Sequence, residues 1–134
     1  MKPVPIRQQG ASTCGQTCVA MAVGASEMAV CDVLNSVRGT TTKHLQKALR
    51  HFGVTYERRL RPATKADPMC ARFPRAILAA RMALTGSTAS KRQWHWMLRW
   101  DGKIYDPGGA WPGCAGGTRI TSALVLTGRE GLRW

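Results

Sequence analysis

The chain has 134 residues and a mass of 14.6 kDa, which leaves room for a single domain over residues 1–134 and excludes an enzyme of two domains. It carries 20 Lys and Arg against 7 Asp and Glu, a net charge of +13, while 44% of its residues are hydrophobic. This apolar content is too high for a disordered basic tail. The charge favours acidic partners, whether nucleic acid, protein or anionic lipid.

The expected environment is the cytoplasm. The N-terminal residues lack the apolar run of a signal peptide, and nowhere do about eighteen apolar residues follow one another without a charge. The five cysteines are an odd number without a CxxC pair, which is not typical of a disulfide framework. We therefore predict free thiols and no membrane span, and leave the oligomeric state open.

Three helices are predicted in the first half of the chain from cap residues and apolar spacing. They run from Cys14 to Val23, from about Ser26 to Val37, and from the threonines at 40–42 to Gly53. Ser12 and Thr13 are suitable N-cap residues for the first helix, and Gly24 is suitable for its C-terminal end. The third helix has an apolar stripe and, on its other face, the basic residues Lys43, Lys47 and Arg50.

Strands are predicted mainly in the second half. They comprise residues 54–61, a hairpin of 93–100 and 103–106 around Asp101-Gly102, and a last strand over 119–127. Asp67-Pro68 predicts a short helix to about Arg72, and residues 75–84 fit either a helix or a buried strand. Helices first and strands last indicate an α+β protein with a mostly antiparallel sheet.

Cys14 is the candidate nucleophile, because a thiol in the first turn of a helix lies near the positive end of the macrodipole, which favours the thiolate. If Asp101-Gly102 is a two-residue turn, His95 and Asp106 become diagonal neighbours on one face of the hairpin. A carboxylate in that position orients the imidazole as a base for a thiol. The alternative is an ion pair on a solvated strand. Gln8, or the adjacent Gln9, is a candidate oxyanion donor beside the Cys14 N–H.

Two segments, Gln8 to Met21 and His95 to Pro107, together resemble the C39-like (bacteriocin-processing-type) cysteine peptidases of the papain-like superfamily. These domains carry a Gln, a Cys-Gly that opens the first helix, a His that starts a strand and an Asp-Pro after the next strand. The resemblance implies an α+β papain-like cysteine protease fold, with N-terminal helices packed on a mostly antiparallel C-terminal sheet. It also favours a strand for residues 75–84.

The resemblance further implies a thiol hydrolase in which Cys14 is the nucleophile, His95 the base and then the acid, Asp106 the orienting group, and Gln8 part of the oxyanion hole. Arg99 departs from the apolar strand typical of the family and is predicted at the surface. No cofactor is implied. The expected partner is a protein or peptide substrate that is glycine-rich at the cleavage site or acidic.

The substrate cleft is expected beside the catalytic residues, because apolar bulk around a catalytic histidine excludes water. Its candidate residues are Gly15, Trp94, Trp96 and Trp111. The same triad also serves an isopeptidase, a deamidase or a transacylase, so the reaction subtype stays open.

Two other functions remain as alternatives. A basic nucleic-acid-binding or protein-interaction module on an inactive papain-like scaffold would use the Lys and Arg residues between 43 and 75 and the tryptophans as stacking platforms. A zinc site would begin with Cys14 and Cys18, but no second pair of ligands follows, so no metal is predicted.

Overall fold

The computed structural model describes residues 2–10, 12–83, 92–109 and 118–134. Within them, three helices precede a seven-stranded antiparallel sheet, so the α+β class is confirmed. The helices are α1 Cys14–Val23, α2 Glu27–Leu34 and α3 Thr42–His51. The strands are β1 Val54–Tyr56, β2 Arg61–Pro62, β3 Arg75–Ala83, β4 Arg92–Trp100, β5 Lys103–Tyr105, β6 Arg119–Arg129 and β7 Leu132–Arg133.

The strand order of the sheet is β1-β6-β3-β4-β5, and β2 and β7 also pair with β6. The short strand β5 pairs only with Leu98, Arg99 and Trp100 of β4. Among the described residues, the earlier part of β4 therefore pairs with β3 alone and forms an edge of the sheet. His95 lies on this edge.

The core has two layers because side chains alternate between the faces of each strand. On one face, Ile77, Leu98 and Leu124 pack with buried residues of the three helices. On the other face, Leu78 and Met97 belong to a second cluster that includes Phe73. Every residue of α1 after Cys14 is buried, which agrees with a helix that is apolar nearly all round.

The helix ends follow the predicted caps in two of three cases. α1 ends at Gly24, which has the left-handed φ of 73°, and α3 begins after Thr41, whose side chain accepts a hydrogen bond from the His44 N–H. The prediction that α2 continues to Val37 is wrong. Asn35 takes a left-handed φ of 49° and ends the helix there, and Val37 is 68% exposed.

The short helix predicted from Asp67 to Arg72 is also absent. The Asp67 carboxylate accepts hydrogen bonds from the backbone N–H groups of Ala71 and Arg72, and Cys70 has a φ of 55°. This segment is a turn, because the aspartate satisfies donors that a helix would pair with its own carbonyls.

The hairpin has the predicted register. Trp100 pairs with Lys103, and Leu98 with Tyr105. Asp101 and Gly102 both have positive φ angles, 48° and 82°, as a type I′ turn requires.

For the strands, the structure decides one alternative that periodicity left open, adds one short strand and contradicts one prediction. Residues 75–83 form the central strand β3, in agreement with the resemblance and beyond what periodicity could decide. β7 was not predicted. Arg99 is 5% exposed rather than at the surface, and its guanidinium donates a hydrogen bond to the Met69 carbonyl at 2.8 Å.

No single helix in the described part of the chain is both long enough and apolar enough to cross a membrane. Only α1 and α2 taken together, across a bend of 114°, have that length and composition.

Leu98 offers a direct test of the helix-facing core, because it is fully buried between α1 and the sheet. We expect Leu98→Ala to lower the free energy of unfolding by about 2–5 kcal/mol through lost burial and a residual cavity. Leu132→Ala removes the same atoms from a side chain that is 75% exposed, so it should change stability by less than about 0.5 kcal/mol. Urea denaturation measures both, and equal losses would contradict this description of the core.

Candidate active site

The fold places Cys14 at the first position of α1, where it is partly exposed although the rest of the helix is buried. The first N–H groups of a helix have no acceptor within the helix. In the described part of the chain, the N-cap residue Thr13 does not cap them with its side chain, which exchanges hydrogen bonds with Gly10 instead. The thiol therefore lies beside backbone donors and the positive end of the helix dipole.

His95 and Asp106 form the closest charged contact of this region. His95 Nε2 lies 2.5 Å from Asp106 Oδ1, and the two side chains are only 10% and 2% exposed. The same carboxylate oxygen accepts a hydrogen bond from the Gly108 N–H at 2.8 Å. Asp106 is thus fixed from two sides and holds the orientation of the imidazole.

His95 also forms a side-chain hydrogen bond with Cys14. Because Nε2 is bound to Asp106, Nδ1 is the ring nitrogen that remains for the thiol. Burial alone would lower the pKa of His95, but the hydrogen bonds and negative charges of Asp106 and Cys14 raise it from 6.5 to about 9. The imidazole is therefore protonated at neutral pH, which places a positive charge beside the Cys14 side chain.

The segment that contains Gln8 lies against the Asp106 loop, since the Gln8 N–H donates to the Pro107 carbonyl at 2.9 Å. The Gln8 side chain is half-buried and its amide nitrogen donates to the Gly10 carbonyl. Gln9 is exposed, and its amide nitrogen donates to the Arg7 carbonyl. Between the two glutamines that the sequence left open, Gln8 is the better candidate for an oxyanion donor.

Sequence reasoning missed Glu27, which anchors this segment to α1. Its Oε1 accepts a hydrogen bond from the Gln9 N–H at 2.8 Å and another from the Thr17 hydroxyl at 2.7 Å. The only available signal was an acidic residue in the first turn of α2, which is ordinary for a helix.

A cleft of about 410 Å³ lies next to His95. It is lined by Thr40, Thr41, Thr42, Leu60, Ala79, Trp94, His95, Trp96, Thr121 and Ser122. Trp94 is 60% exposed, whereas Trp96 is half-buried and its indole N–H donates to the Thr40 carbonyl at 3.2 Å. Both predicted tryptophans thus line the cleft, and Trp111 lies outside the described residues.

Gly15 does not line the cleft and lies buried beneath its wall. A Cβ at this position would collide with the Thr40 hydroxyl and press on Leu45. The glycine lets the start of α1 approach the loop before α3 closely, which places Thr40 where Trp96 can bind its carbonyl.

The other described cysteines do not share the features of Cys14. Burial raises the pKa of the thiols of Cys18, Cys31 and Cys70. Cys114 lies outside the described residues. Among the described residues, no group of three or more His, Cys, Asp and Glu side chains is arranged to hold a metal ion.

No protein-family model matches this sequence, and no curated protein does either. The chemistry of the site is therefore inferred from its own geometry.

The contact between Cys14 and His95 can be tested by the rate of thiol alkylation. At pH 6.5, a thiol of ordinary pKa is only about 1% ionised. We expect His95→Ala to slow alkylation of Cys14 by iodoacetamide at least about tenfold at this pH, because the variant lacks the imidazole that can accept the proton of the thiol. Tandem mass spectrometry measures the rate at each cysteine.

The matched control for this test is His51→Ala, which removes an exposed histidine at the end of α3 and should leave the rate unchanged. The contact would be excluded if Cys14 reacted no faster than Cys31 and Cys70 in the unaltered protein.

The raised pKa of His95 also predicts how stability depends on pH. A basic group whose pKa is higher in the folded than in the unfolded state stabilises the fold. For His95 this stabilisation is complete below the unfolded pKa of 6.5 and is lost as the pH rises through the folded pKa of about 9. Over this interval the unaltered protein should lose up to about 3 kcal/mol more than Asp106→Asn, which lacks the carboxylate partner.

Urea denaturation at several pH values checks the prediction, with His95→Gln as a second variant that cannot gain this proton. If the free energies of unfolding of all three proteins fell in parallel between pH 6.5 and 9, the His95–Asp106 pair would not be the cause.

Proposed function

We propose that the protein is a papain-like thiol hydrolase of the C39-like type, which cleaves a peptide or isopeptide bond. The observation that carries this proposal is the arrangement of Cys14, His95 and Asp106, in which a partly exposed thiol at a helix start meets an imidazole held by a buried carboxylate. This arrangement supplies a nucleophile, a base and an orienting group within one hydrogen-bonded chain.

The first half of the reaction is acyl transfer to sulfur. The Cys14 thiolate attacks the substrate carbonyl carbon and forms a C–S bond, and the carbonyl electron pair moves to the oxygen. The Cys14 backbone N–H and the Gln8 amide donate to this oxyanion. His95 Nδ1 then gives its proton to the leaving nitrogen as the C–N bond breaks, which leaves a thioester and a free amine.

The second half is hydrolysis of the thioester. Neutral His95 takes a proton from water, whose oxygen attacks the thioester carbonyl. Collapse of the second tetrahedral intermediate breaks the C–S bond, returns the thiolate and releases a carboxylic acid. Asp106 keeps the imidazole in one orientation throughout, and its negative charge stabilises the imidazolium in both halves.

The fold supports the proposed class in the way it joins the two catalytic segments. The helix that begins with the nucleophile packs on an antiparallel sheet, and the strand with the histidine lies at the sheet edge beside the helix start. The Asp follows directly after the next strand, in the order that the resemblance implies.

The proposal is tested by cleavage of a peptide library prepared from a cell proteome and read by mass spectrometry. Cys14→Ala should abolish cleavage, and His95→Ala should lower the rate by about 10²–10⁴-fold. Gln8→Ala should lower it by about 10²–10³-fold through loss of an oxyanion donor.

Gln9→Ala is the matched control and should retain activity, because the Gln9 amide binds the Arg7 carbonyl at the surface. New peptide termini that persist in Cys14→Ala would rule out Cys14 as the nucleophile. Conversion of glutamine to glutamate without new termini would indicate a deamidase with the same triad.

A further inference from the structure

A second groove runs along α3, away from the catalytic residues. It has a volume of about 450 Å³ and is lined by Gln46, Arg50, Val54, Thr55, Tyr56 and Arg58. Lys43 and Lys47 are exposed on the same helix, and each lies three residues before one of the lining residues, Gln46 and Arg50. Residues at this spacing are neighbours on a helix surface, so the α3 wall of the groove is basic.

The positive charges of this wall are not neutralised by the protein itself. In the described residues, which include all 7 Asp and Glu of the chain, salt bridges join Glu57 to Arg61, Asp67 to Arg72, Asp101 to Arg75 and Asp106 to His95. Lys43, Lys47, Arg50, Arg58 and the exposed Arg59 form no salt bridge within this part of the chain, and α3 contains no acidic residue.

The basic groove and the cleft beside His95 are lined by neighbouring residues of the same two segments, α3 and residues 58–60. Thr42 lines the cleft and Gln46, one turn further along α3, lines the groove. On the opposite side, Leu60 lines the cleft and Arg58 lines the groove, and the Gln46 amide donates to the Arg58 carbonyl at 3.2 Å. The groove therefore lies next to the cleft along α3.

We propose that this groove binds the acidic part of a peptide substrate whose neighbouring residues occupy the cleft beside His95. The inference rests on the proposed function and adds the substrate class: a peptide or unfolded protein segment with Asp or Glu residues a short distance from the cleaved bond. The basic wall, whose side chains form no salt bridge in the described part of the chain, supplies the complementary charge, and its position next to the cleft places that charge near the cleaved bond.

A peptide fits this surface better than a nucleic acid. Single-stranded nucleic acids bind through aromatic side chains on which bases stack. Tyr56, the aromatic residue that lines the groove, is half-buried, and its hydroxyl accepts a hydrogen bond from Arg50 at 2.6 Å. The exposed Trp94 lines the cleft, where the proposed reaction requires the substrate backbone.

Binding is measured by fluorescence anisotropy with the full-length Cys14→Ala protein, so that the test does not depend on catalysis. The probes are a fluorescein-labelled oligoglutamate, an oligoglutamine and an oligodeoxythymidine of equal length. We expect oligoglutamate to bind more tightly than oligoglutamine, and its affinity to fall as NaCl is raised from about 50 to about 500 mM.

The groove variant is Lys47→Glu with Arg58→Glu, and it should weaken oligoglutamate binding at least about fivefold. The control, Lys65→Glu with Lys103→Glu, makes the same change of charge at exposed residues that line neither the groove nor the cleft, and should have a smaller effect. Equal weakening by both variants, or equal affinity for oligoglutamate and oligoglutamine, would overturn the proposal. Tighter binding of oligodeoxythymidine that the groove variant abolishes would overturn it in favour of a nucleic-acid site.

A kinetic measurement separates this proposal from the proposed function. A peptide cleaved by the unaltered protein is extended with Glu or with Gln, and the acidic extension should lower KM with kcat unchanged, because it adds binding that is equal in ground and transition states. Cleavage with equal KM for both extensions would overturn the groove and leave the hydrolase intact. Groove-dependent binding of oligoglutamate by a chain that cleaves no peptide would support the acidic-peptide site and exclude the hydrolase.

Discussion

The candidate site depends on one contact, the hydrogen bond between His95 Nε2 and the carboxylate of Asp106. It fixes the ring so that Nδ1 is left for Cys14. Burial has the largest single effect on the pKa of His95 and lowers it, but this hydrogen bond, the contact with Cys14 and the two negative charges together raise the pKa to about 9. The hairpin turn at Asp101-Gly102 sets the register that brings the two residues together, and the Gly108 N–H holds the carboxylate. An imidazolium in so buried a position requires a counter-charge. The geometry of the hairpin therefore also determines the charge state of the site, because it brings the carboxylate of Asp106 to the imidazole.

Much of this arrangement could be predicted from the sequence because it follows local rules. The Asp101-Gly102 turn determines the strand register, and the register determines that Asp106 is diagonal to His95. The C-terminal end of α1 follows from Gly24, which takes the left-handed conformation. The sequence could not show that α2 ends at Asn35, because the left-handed backbone of this one residue interrupts an apolar pattern that fits a longer helix. It also could not show that the Asp67 carboxylate binds backbone N–H groups and forms a turn, because an Asp before a Pro equally fits the start of a helix. The burial of Arg99 and the anchoring role of Glu27 depend on contacts between distant segments, which periodicity does not report.

The basic residues of the chain differ in whether they form salt bridges. Most of the salt bridges lie near β2, β3 and the turn around Asp67, where acidic residues pair with Arg61, Arg72 and Arg75. The same three arginines lie over the aromatic rings of Phe73 and Trp100, so they contribute to packing as well as charge. The basic residues of α3, together with Arg58 and Arg59 after β1, form no salt bridge in the described part of the chain. The basic residues behind the net charge of +13 therefore form two different surfaces, one in which arginines are paired in salt bridges and one in which the basic side chains form none.

The separation of Cys14 and His95 along the chain has a consequence for synthesis. The helix that begins with the thiol is made early, but the strand that carries the imidazole emerges from the ribosome only after more than half of the sequence has followed. Until β4 and β5 pair and dock on the helices, Cys14 has no imidazole beside it. Contacts between such distant segments form late in folding. The nascent chain therefore carries the cysteine through most of its synthesis without the candidate site, which is assembled only when the native topology is complete.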